Sequence, residues 1–232
     1  MHIPDGFIDP KISVGLMGAA GLALSYCLFK VKSAITVMVP GEVWAAAGDR
    51  VKSLAGRGRR VLNENKIYQM GMLASLIFAA QMFNFPINSG TSGHLIGGVL
   101  AAVLLGPFAG TLAIAVVLAV QAFFFADGGF LALGANIVNM AVLGTLAGYY
   151  LYAGLRKFLP EWLSIAFSAW CSVILAAAAA ALEIGFSGTY ALAEVMAAML
   201  RVHVVIGLAE ALITLALINL LRKYLPEFQE KP

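Results

Sequence analysis

The chain has 232 residues, of which 61% are hydrophobic and 12% charged, whereas a soluble domain is about one quarter charged, so the composition excludes an ordinary soluble fold. The length accommodates six or seven membrane helices of roughly 20 residues each, but not a sizeable soluble domain in addition. The net charge of +3 indicates little by itself, and the two cysteines, Cys27 and Cys171, form no CxxC pair, which disfavours a thiolate metal site or a redox pair.

The chain begins with the sequence MHIPDG (residues 1–6), which places a histidine at the second position. The α-amine of Met1, the amide nitrogen between Met1 and His2, and the His2 imidazole lie on two fused chelate rings. They offer three nitrogens close to one plane, and a fourth nitrogen would complete the square that Ni(II) or Cu(II) prefers. Residues 4–6 favour a turn that stiffens this segment. We therefore interpret the N-terminus as a candidate metal chelate.

A cleaved signal peptide would remove this chelate, but the sequence does not favour one. Asp5 and Asp9 precede Lys11, so there is no basic leading region, and the apolar run 12–29 is longer than the roughly 7–15 residues of a signal-peptide core. We expect a retained first helix. We also expect the initiator methionine to stay in place before the bulky His2.

Seven apolar segments follow one another along the chain. They span residues 12–29, 67–84, 94–106, 109–126, 130–153, 162–182 and 202–221. Gly106-Pro107 separates the third from the fourth, and a more polar stretch, 185–201, precedes the last. The pattern predicts an all-α polytopic membrane bundle of about seven transmembrane helices, with residues 1–232 forming a single integral-membrane substrate-binding domain.

Basic residues fall almost entirely on one set of connections between these segments. The opposite set holds only Lys11 and Arg201 of the 15 lysines and arginines. Because positively charged loops stay in the cytoplasm, the sequence predicts an external N-terminus, a cytoplasmic C-terminus and a cytoplasmic basic connection at 33–66. Topology and anionic lipid explain this basic loop better than nucleic-acid binding does.

His94 is the most informative histidine after His2. It follows the stretch 88–93, which is rich in small and polar residues and is predicted to be non-helical. By the predicted topology it lies on the same side of the membrane as the N-terminus, and it is the natural fourth nitrogen. The alternative is a histidine that only caps or anchors the third helix.

Other polar residues near these positions are expected to orient the metal ligands or to join neighbouring helices by hydrogen bonds. Asp127 lies at a turn on the predicted outer side, and Asn136 and Asn139 share one face of the fifth helix. The residues predicted to surround the ligands are Asn88, Ser89, Thr91, Ser92, Asp127, Asn136 and Asn139.

Buried carboxylates leave a second hypothesis open. Glu210 lies well inside the last segment and Glu183 at the end of the sixth, and acidic residues within a membrane are functional by default. With Asp127 they suggest a proton-coupled secondary metal carrier.

His203 is interpreted as an interfacial or packing residue. A membrane enzyme is disfavoured because there is no Walker A, HExxH or GxSxG motif and no carboxylate pair placed for hydrolysis, and no bound cofactor is predicted.

Four stretches together resemble one known family. They are residues 1–6, the stretch 88–94, FFADGG at 124–129 and LGANIVNM at 133–140. They are similar to the CbiM/NikM family, the substrate-binding membrane subunits of energy-coupling-factor nickel and cobalt importers, which are ABC-type transporters. The resemblance covers almost the whole chain, and the start motif joined to the later histidine is specific. The connection 33–66 is longer than the family leads us to expect.

This resemblance implies both the ligands and the partners. The family's metal ligands are the terminal amine, the amide and imidazole of the second residue, and a later histidine, which correspond here to Met1, His2 and His94. The implied substrate is Ni(II) or Co(II), the latter for cobalamin biosynthesis; planar nitrogen coordination favours nickel, with cobalt close behind. The implied partners are a transmembrane coupling subunit, ATP-binding subunits and often a small accessory membrane subunit, in the cell inner (cytoplasmic) membrane.

Overall fold

A computed structural model describes residues 1–32, 35–39, 59–87 and 91–228. The helices within these ranges form one bundle, and two short antiparallel hairpins accompany them. In chain order the elements are α1 (Pro10–Val31), β1 (Thr36–Val39), β2 (Arg59–Leu62), α2 (Glu64–Gln81), β3 (Phe85–Ile87), β4 (Thr91–Gly93), α3 (Gly98–Leu105), α4 (Pro107–Phe124), α5 (Leu133–Asn136), a π-helix (Ile137–Ala147), α6 (Gly148–Leu155), α7 (Glu161–Phe186), α8 (Leu192–Tyr224) and a 3₁₀ turn (Pro226–Phe228).

The predicted all-α membrane class is confirmed. Five helical stretches in the described part of the chain are long and apolar enough to cross a membrane, namely α1, α4, the continuous stretch 133–155, α7 and α8. Large apolar side chains on their outer faces, such as Leu22 of α1 and Leu212 of α8, are about 70% or more exposed, as lipid contact requires. The count of seven crossings and the orientation of the termini stay predictions.

Local signals define several helix boundaries. The Asp9 side chain accepts a hydrogen bond of 2.8 Å from the backbone N–H of Lys11 and caps α1, with Pro10 in the first turn. Gly106 separates α3 from α4 with a φ of +87°, a conformation open to glycine, and Pro107 then starts α4. These boundaries agree with the predicted segments.

Two of the later predicted segments differ from the structure. The segment 130–153 is not a uniform α-helix, because its middle is a π-helix over Ile137–Ala147. The last helix begins at Leu192 instead of 202, since Val195 and Met199 are buried and extend the packed face of α8 towards the N-terminus. The more polar stretch 185–201 is therefore mostly helical.

The third predicted segment, 94–106, is wrong at its start. The helix α3 begins only at Gly98, and residues 94–97 form a connection between β4 and α3 in which His94 and Ile96 are buried. Gly97 has a φ of +74°, which a side chain would strain. This connection, called here the His94 loop (residues 94–97), carries the histidine of greatest interest.

The connection predicted at 33–66 is described only in part. Its β1 and β2 pair as an antiparallel hairpin with Thr36 opposite Leu62. Residues 33–34 and 40–58 lie outside the described residues.

Candidate metal centre

The N-terminus is folded into the bundle. Met1 and Ile3 have no exposed surface and His2 is 3% exposed. The Ile3 backbone N–H donates to Asn136 Oδ1 at 2.9 Å, and its carbonyl accepts from the Gly129 N–H at 2.9 Å and from Asn136 Nδ2 at 3.2 Å. Both backbone polar groups of residue 3 are thus satisfied, which fixes the position of the two residues before it.

Asp5 anchors the same segment to the loop after α4. Its carboxylate accepts hydrogen bonds from the backbone N–H groups of Phe130 at 3.0 Å, Leu131 at 2.7 Å and Ala132 at 3.2 Å. A side chain at Gly129 would collide with Asp5, and one at Gly128 would come within 3.1 Å of the His2 ring. The glycines of this loop therefore allow it to close over the N-terminus.

The structure brings His2 and His94 into direct contact. Their rings are stacked with centroids 4.4 Å apart and planes 28° apart. His94 is 1% exposed, and its Nδ1 lies 2.6 Å from the carbonyl oxygen of Leu95. Because that oxygen can only accept, Nδ1 carries the proton and Nε2 keeps its lone pair.

The free nitrogen of His94 has the features of a metal ligand. Nε2 is buried, and no group in the described ranges forms a hydrogen bond with it. Histidines that bind metals usually donate their other ring N–H to a carbonyl or carboxylate, which fixes the ring and its tautomer. The bond from Nδ1 to the Leu95 carbonyl supplies this support.

Two polar groups flank the remaining nitrogens. The amine nitrogen of Met1 lies 3.4 Å from Ser92 Oγ, and His2 Nδ1 lies 3.1 Å from Asp127 Oδ1. Nδ1 is the ring nitrogen that closes the fused chelate of the N-terminal dipeptide. The Asp127 carboxylate therefore stands beside the place where a chelated cation would bind.

Burial sets the protonation states of these groups. It lowers the pKa of the Met1 amine well below 8.0 and that of His94 well below 6.5, where the nearby amine and His2 act in the same direction. Burial also lowers the pKa of His2, although Asp127 opposes this effect. Burial raises the pKa of Asp127, but the hydrogen bond and charge of His2 outweigh it, so the net pKa is lowered. The lowered pKa values favour unprotonated nitrogens and an ionised carboxylate, which are the forms that bind a cation.

One residue of this site is predicted from the sequence only to join neighbouring helices by hydrogen bonds. Gln121 of α4 is fully buried, and neither of its amide atoms has a hydrogen-bond partner in the described part of the chain. Its side chain lies near enough to His2 to raise the pKa of that imidazole. Gln121 precedes the DGG turn (residues 127–129) by less than two helical turns, and this proximity was the available signal.

The other residues predicted to surround the ligands divide into three groups. Ser92, Asp127 and Asn136 contact Met1, His2 or Ile3, as given above. Thr91 bonds instead to the Met199 sulfur at 3.2 Å, and Asn139 donates to Glu183 at 2.7 Å. Asn88 and Ser89 lie outside the described residues.

The three carboxylates of the carrier hypothesis have separate partners. Asp127 is beside His2, Glu183 accepts from Asn139, and Glu210 accepts from two backbone N–H groups of the His94 loop. His203 is fully buried in α8 with Nδ1 2.8 Å from the Met199 carbonyl, and it lies within electrostatic reach of the Met1 amine and of His94. Its interpretation as a packing residue stays a prediction.

A conventional cluster of metal-binding side chains is absent from the described ranges, because no three His, Cys, Asp or Glu side chains are grouped to hold an ion. The candidate centre depends instead on main-chain nitrogens of the first two residues. Two imidazoles complete the set of donors.

Comparison with known proteins identifies the family. The family model described as the cobalt uptake substrate-specific transmembrane region, CbiM, matches residues 2–228. The chain belongs to the CbiM family. Because this is a family of membrane-embedded metal transport proteins, the predictions of a multi-pass transport protein, and not an enzyme, are confirmed.

Individual relatives of this CbiM protein carry names that describe the transport of nickel, cobalt or a transition metal. It is 38% identical to a putative fused nickel transport protein NikMN of Archaeoglobus fulgidus, where the alignment covers 100% of this chain and 68% of the relative. It is also 30% identical to the cobalt transport protein CbiM of Sorangium cellulosum, over 75% of this chain and 81% of the relative. A crystal structure of a truncated transition metal transporter has 30% identity and a TM-score of 0.79, covering 97% of this chain and 99% of that one.

Proposed function

We propose that this protein captures Ni(II) or Co(II) with four nitrogens: the Met1 amine, the His2 amide, the His2 imidazole and His94 Nε2. The observation that carries the proposal is the contact between the buried N-terminal dipeptide and His94, whose Nε2 is unpartnered in the described part of the chain. Relatives named for nickel and for cobalt transport support this substrate class. The metal is cargo, not a resident cofactor.

Nickel is the favoured ion, because planar nitrogen coordination suits Ni(II) better than Co(II). Copper binds such ligands more tightly still, so discrimination against it must come from the shape of the cavity or from metal availability. Deprotonation of the amine and amide on binding makes the affinity pH-dependent.

The protein is further proposed to act as the substrate-specific component of an energy-coupling-factor transporter in the cytoplasmic membrane. In this arrangement the N-terminus faces outwards to meet the metal, and a transmembrane coupling subunit with ATP-binding subunits drives import. A small accessory membrane subunit completes many such complexes. Family membership and the basic residues of the predicted cytoplasmic connections support this assignment.

Uptake of radioactive nickel by cells that contain the whole transporter tests this assignment. Uptake should stop when ATP is depleted and persist when a protonophore collapses the proton gradient while ATP is maintained. The opposite pattern would support the alternative, a proton-coupled secondary carrier that uses Glu210, Glu183 and Asp127. The separate partners of these carboxylates favour the first proposal.

Metal binding is expected to weaken at acid pH, but only at a lower pH than in a free peptide. Protons compete with the metal for the amine and the imidazoles, and burial lowers the pKa of all three below their ordinary values. The Ni(II) dissociation constant should therefore be measured against pH for the purified protein and for a peptide of residues 1–6. Superimposable profiles would contradict the prediction.

Replacing Asp127 with Asn is expected to weaken Ni(II) binding by about tenfold, since groups that support metal ligands typically contribute 10–100-fold in affinity. The change keeps the shape of the side chain but removes the negative charge 3.1 Å from His2 Nδ1. Asp9→Asn is the matched control, because Asp9 is an exposed helix cap and Asn caps equally well. Titration calorimetry gives both dissociation constants, and equal values for the two variants would contradict the prediction.

A further inference from the structure

Glu210 lies in the interior of α8, yet its carboxylate bonds to the His94 loop. Oε2 accepts the backbone N–H of Ile96 at 2.8 Å, and Oε1 accepts that of Gly97 at 2.7 Å. Glu210 is 2% exposed and Ile96 is fully buried. The backbone N–H of Ile96 therefore has no water as an alternative partner and depends on the carboxylate, and the partly buried N–H of Gly97 bonds to the same group.

A second side chain holds the same peptide from the opposite side. Gln81, the last residue of α2, donates from Nε2 to the Ile96 carbonyl at 2.7 Å. Residue 96 thus has its N–H bonded to α8 and its carbonyl bonded to α2. Two separate helices determine the course of the backbone only two residues after His94.

The strand before His94 also rests on α8. A side chain at Gly93 would come within 2.7 Å of Ile206 and 3.4 Å of Val202. Thr91 contacts Met199 of the same helix. Close packing before His94 and hydrogen bonds after it leave the histidine backbone little freedom relative to α8.

We propose that Glu210 is a positioning residue of the metal centre, which holds the Ile96 and Gly97 peptides so that Nε2 of His94 faces the chelate of Met1 and His2. This inference rests on the proposed function. It assigns Glu210 a structural link from α8 to a metal ligand, in place of a role in carrying protons. On this proposal, a shift of α8 relative to α3 would move His94 away from the chelate.

The test is a double-mutant cycle with His94→Ala and Glu210→Gln, measured as Ni(II) dissociation constants of the detergent-purified full chain with its native N-terminus. Gln retains one acceptor but places an amide NH₂ against the other backbone N–H. We expect Glu210→Gln alone to weaken binding about tenfold, in the range typical of groups that orient metal ligands. Added to His94→Ala, it should cause no further loss, because the residue through which it acts is already gone.

The visible absorption band of bound Ni(II) supplies an independent readout. Replacement of an imidazole nitrogen by water weakens the ligand field, so the band of Glu210→Gln should move to longer wavelength, towards that of His94→Ala. Glu183→Gln is the matched control, since Glu183 is also a carboxylate within a long membrane helix but bonds to Asn139. It should retain the wild-type band and affinity.

The inference is overturned if Glu210→Gln binds Ni(II) as the wild type does, or if its loss adds fully to that of His94→Ala. Should Glu210→Gln fail to fold, Glu210→Asp replaces it in the cycle, because it keeps the charge but withdraws the carboxylate from one N–H. A wild-type protein that does not bind Ni(II), or a His94→Ala variant with unchanged binding, would instead refute the proposed function.

Discussion

Adding three glycines ahead of Met1 is expected to weaken Ni(II) binding by about a hundredfold or more. The extension converts the Met1 amine into an ordinary amide and removes the terminal nitrogen from the fused chelate. A four-ligand site binds a divalent metal with about 10–16 kcal/mol, so one ligand accounts for roughly 3 kcal/mol, or about a hundredfold. Met1 has no exposed surface, so the added residues also have no room beside the ligands.

A single added glycine is an informative comparison. It places His2 third in the chain, where the amine, two amides and the imidazole form a four-nitrogen chelate without any other residue. This variant should bind Ni(II) but become insensitive to His94→Ala. The same three glycines added at the C-terminus control for the purification and should leave binding unchanged. Tight binding by the protein with three added N-terminal glycines would mean that the Met1 amine is not a ligand.

The sequence predicts the class of the fold well, because apolar segments long enough to span a membrane form helices in order to satisfy their own backbone hydrogen bonds. It predicts the start of α3 poorly. Residues 94–97 are apolar apart from His94, and this pattern predicts a helix. In the structure, Glu210 and Gln81, which are distant in the chain, instead form hydrogen bonds with the backbone of Ile96 and Gly97. Local sequence carries no record of such long-range partners.

The sequence likewise predicts the ligands of the candidate site better than the contacts that support them. The chemistry of an N-terminal dipeptide with histidine second is visible in six residues, and His94 is conspicuous because only three histidines exist. The supporting contacts are less visible. Asn136 was expected near the ligands, but its use of both amide atoms to hold the Ile3 backbone depends on how α5 approaches the N-terminus. The sequence predicts only that Gln121 joins neighbouring helices, because its environment, and not its type, brings it to His2.

Replacing His94 with Ala is expected to weaken Ni(II) binding by about a hundredfold, the roughly 3 kcal/mol share of one ligand in a four-ligand site. The three nitrogens of Met1 and His2 remain, so weak binding should persist with water in the fourth position. The change also removes the ring stacked on His2 at 4.4 Å, which frees the His2 imidazole to move. Titration calorimetry on the metal-free protein measures the loss.

His203→Ala is the control that separates ligation from packing. His203, like His94, is fully buried with Nδ1 bonded to a backbone carbonyl and Nε2 unpartnered among the described residues, and its loss leaves a cavity of the same size. If ligation is what matters, His94→Ala loses affinity while His203→Ala loses thermal stability and keeps its Ni(II) affinity. Equal losses of affinity in both variants would mean that burial of an imidazole, and not the position of His94 beside the N-terminal chelate, explains the effect.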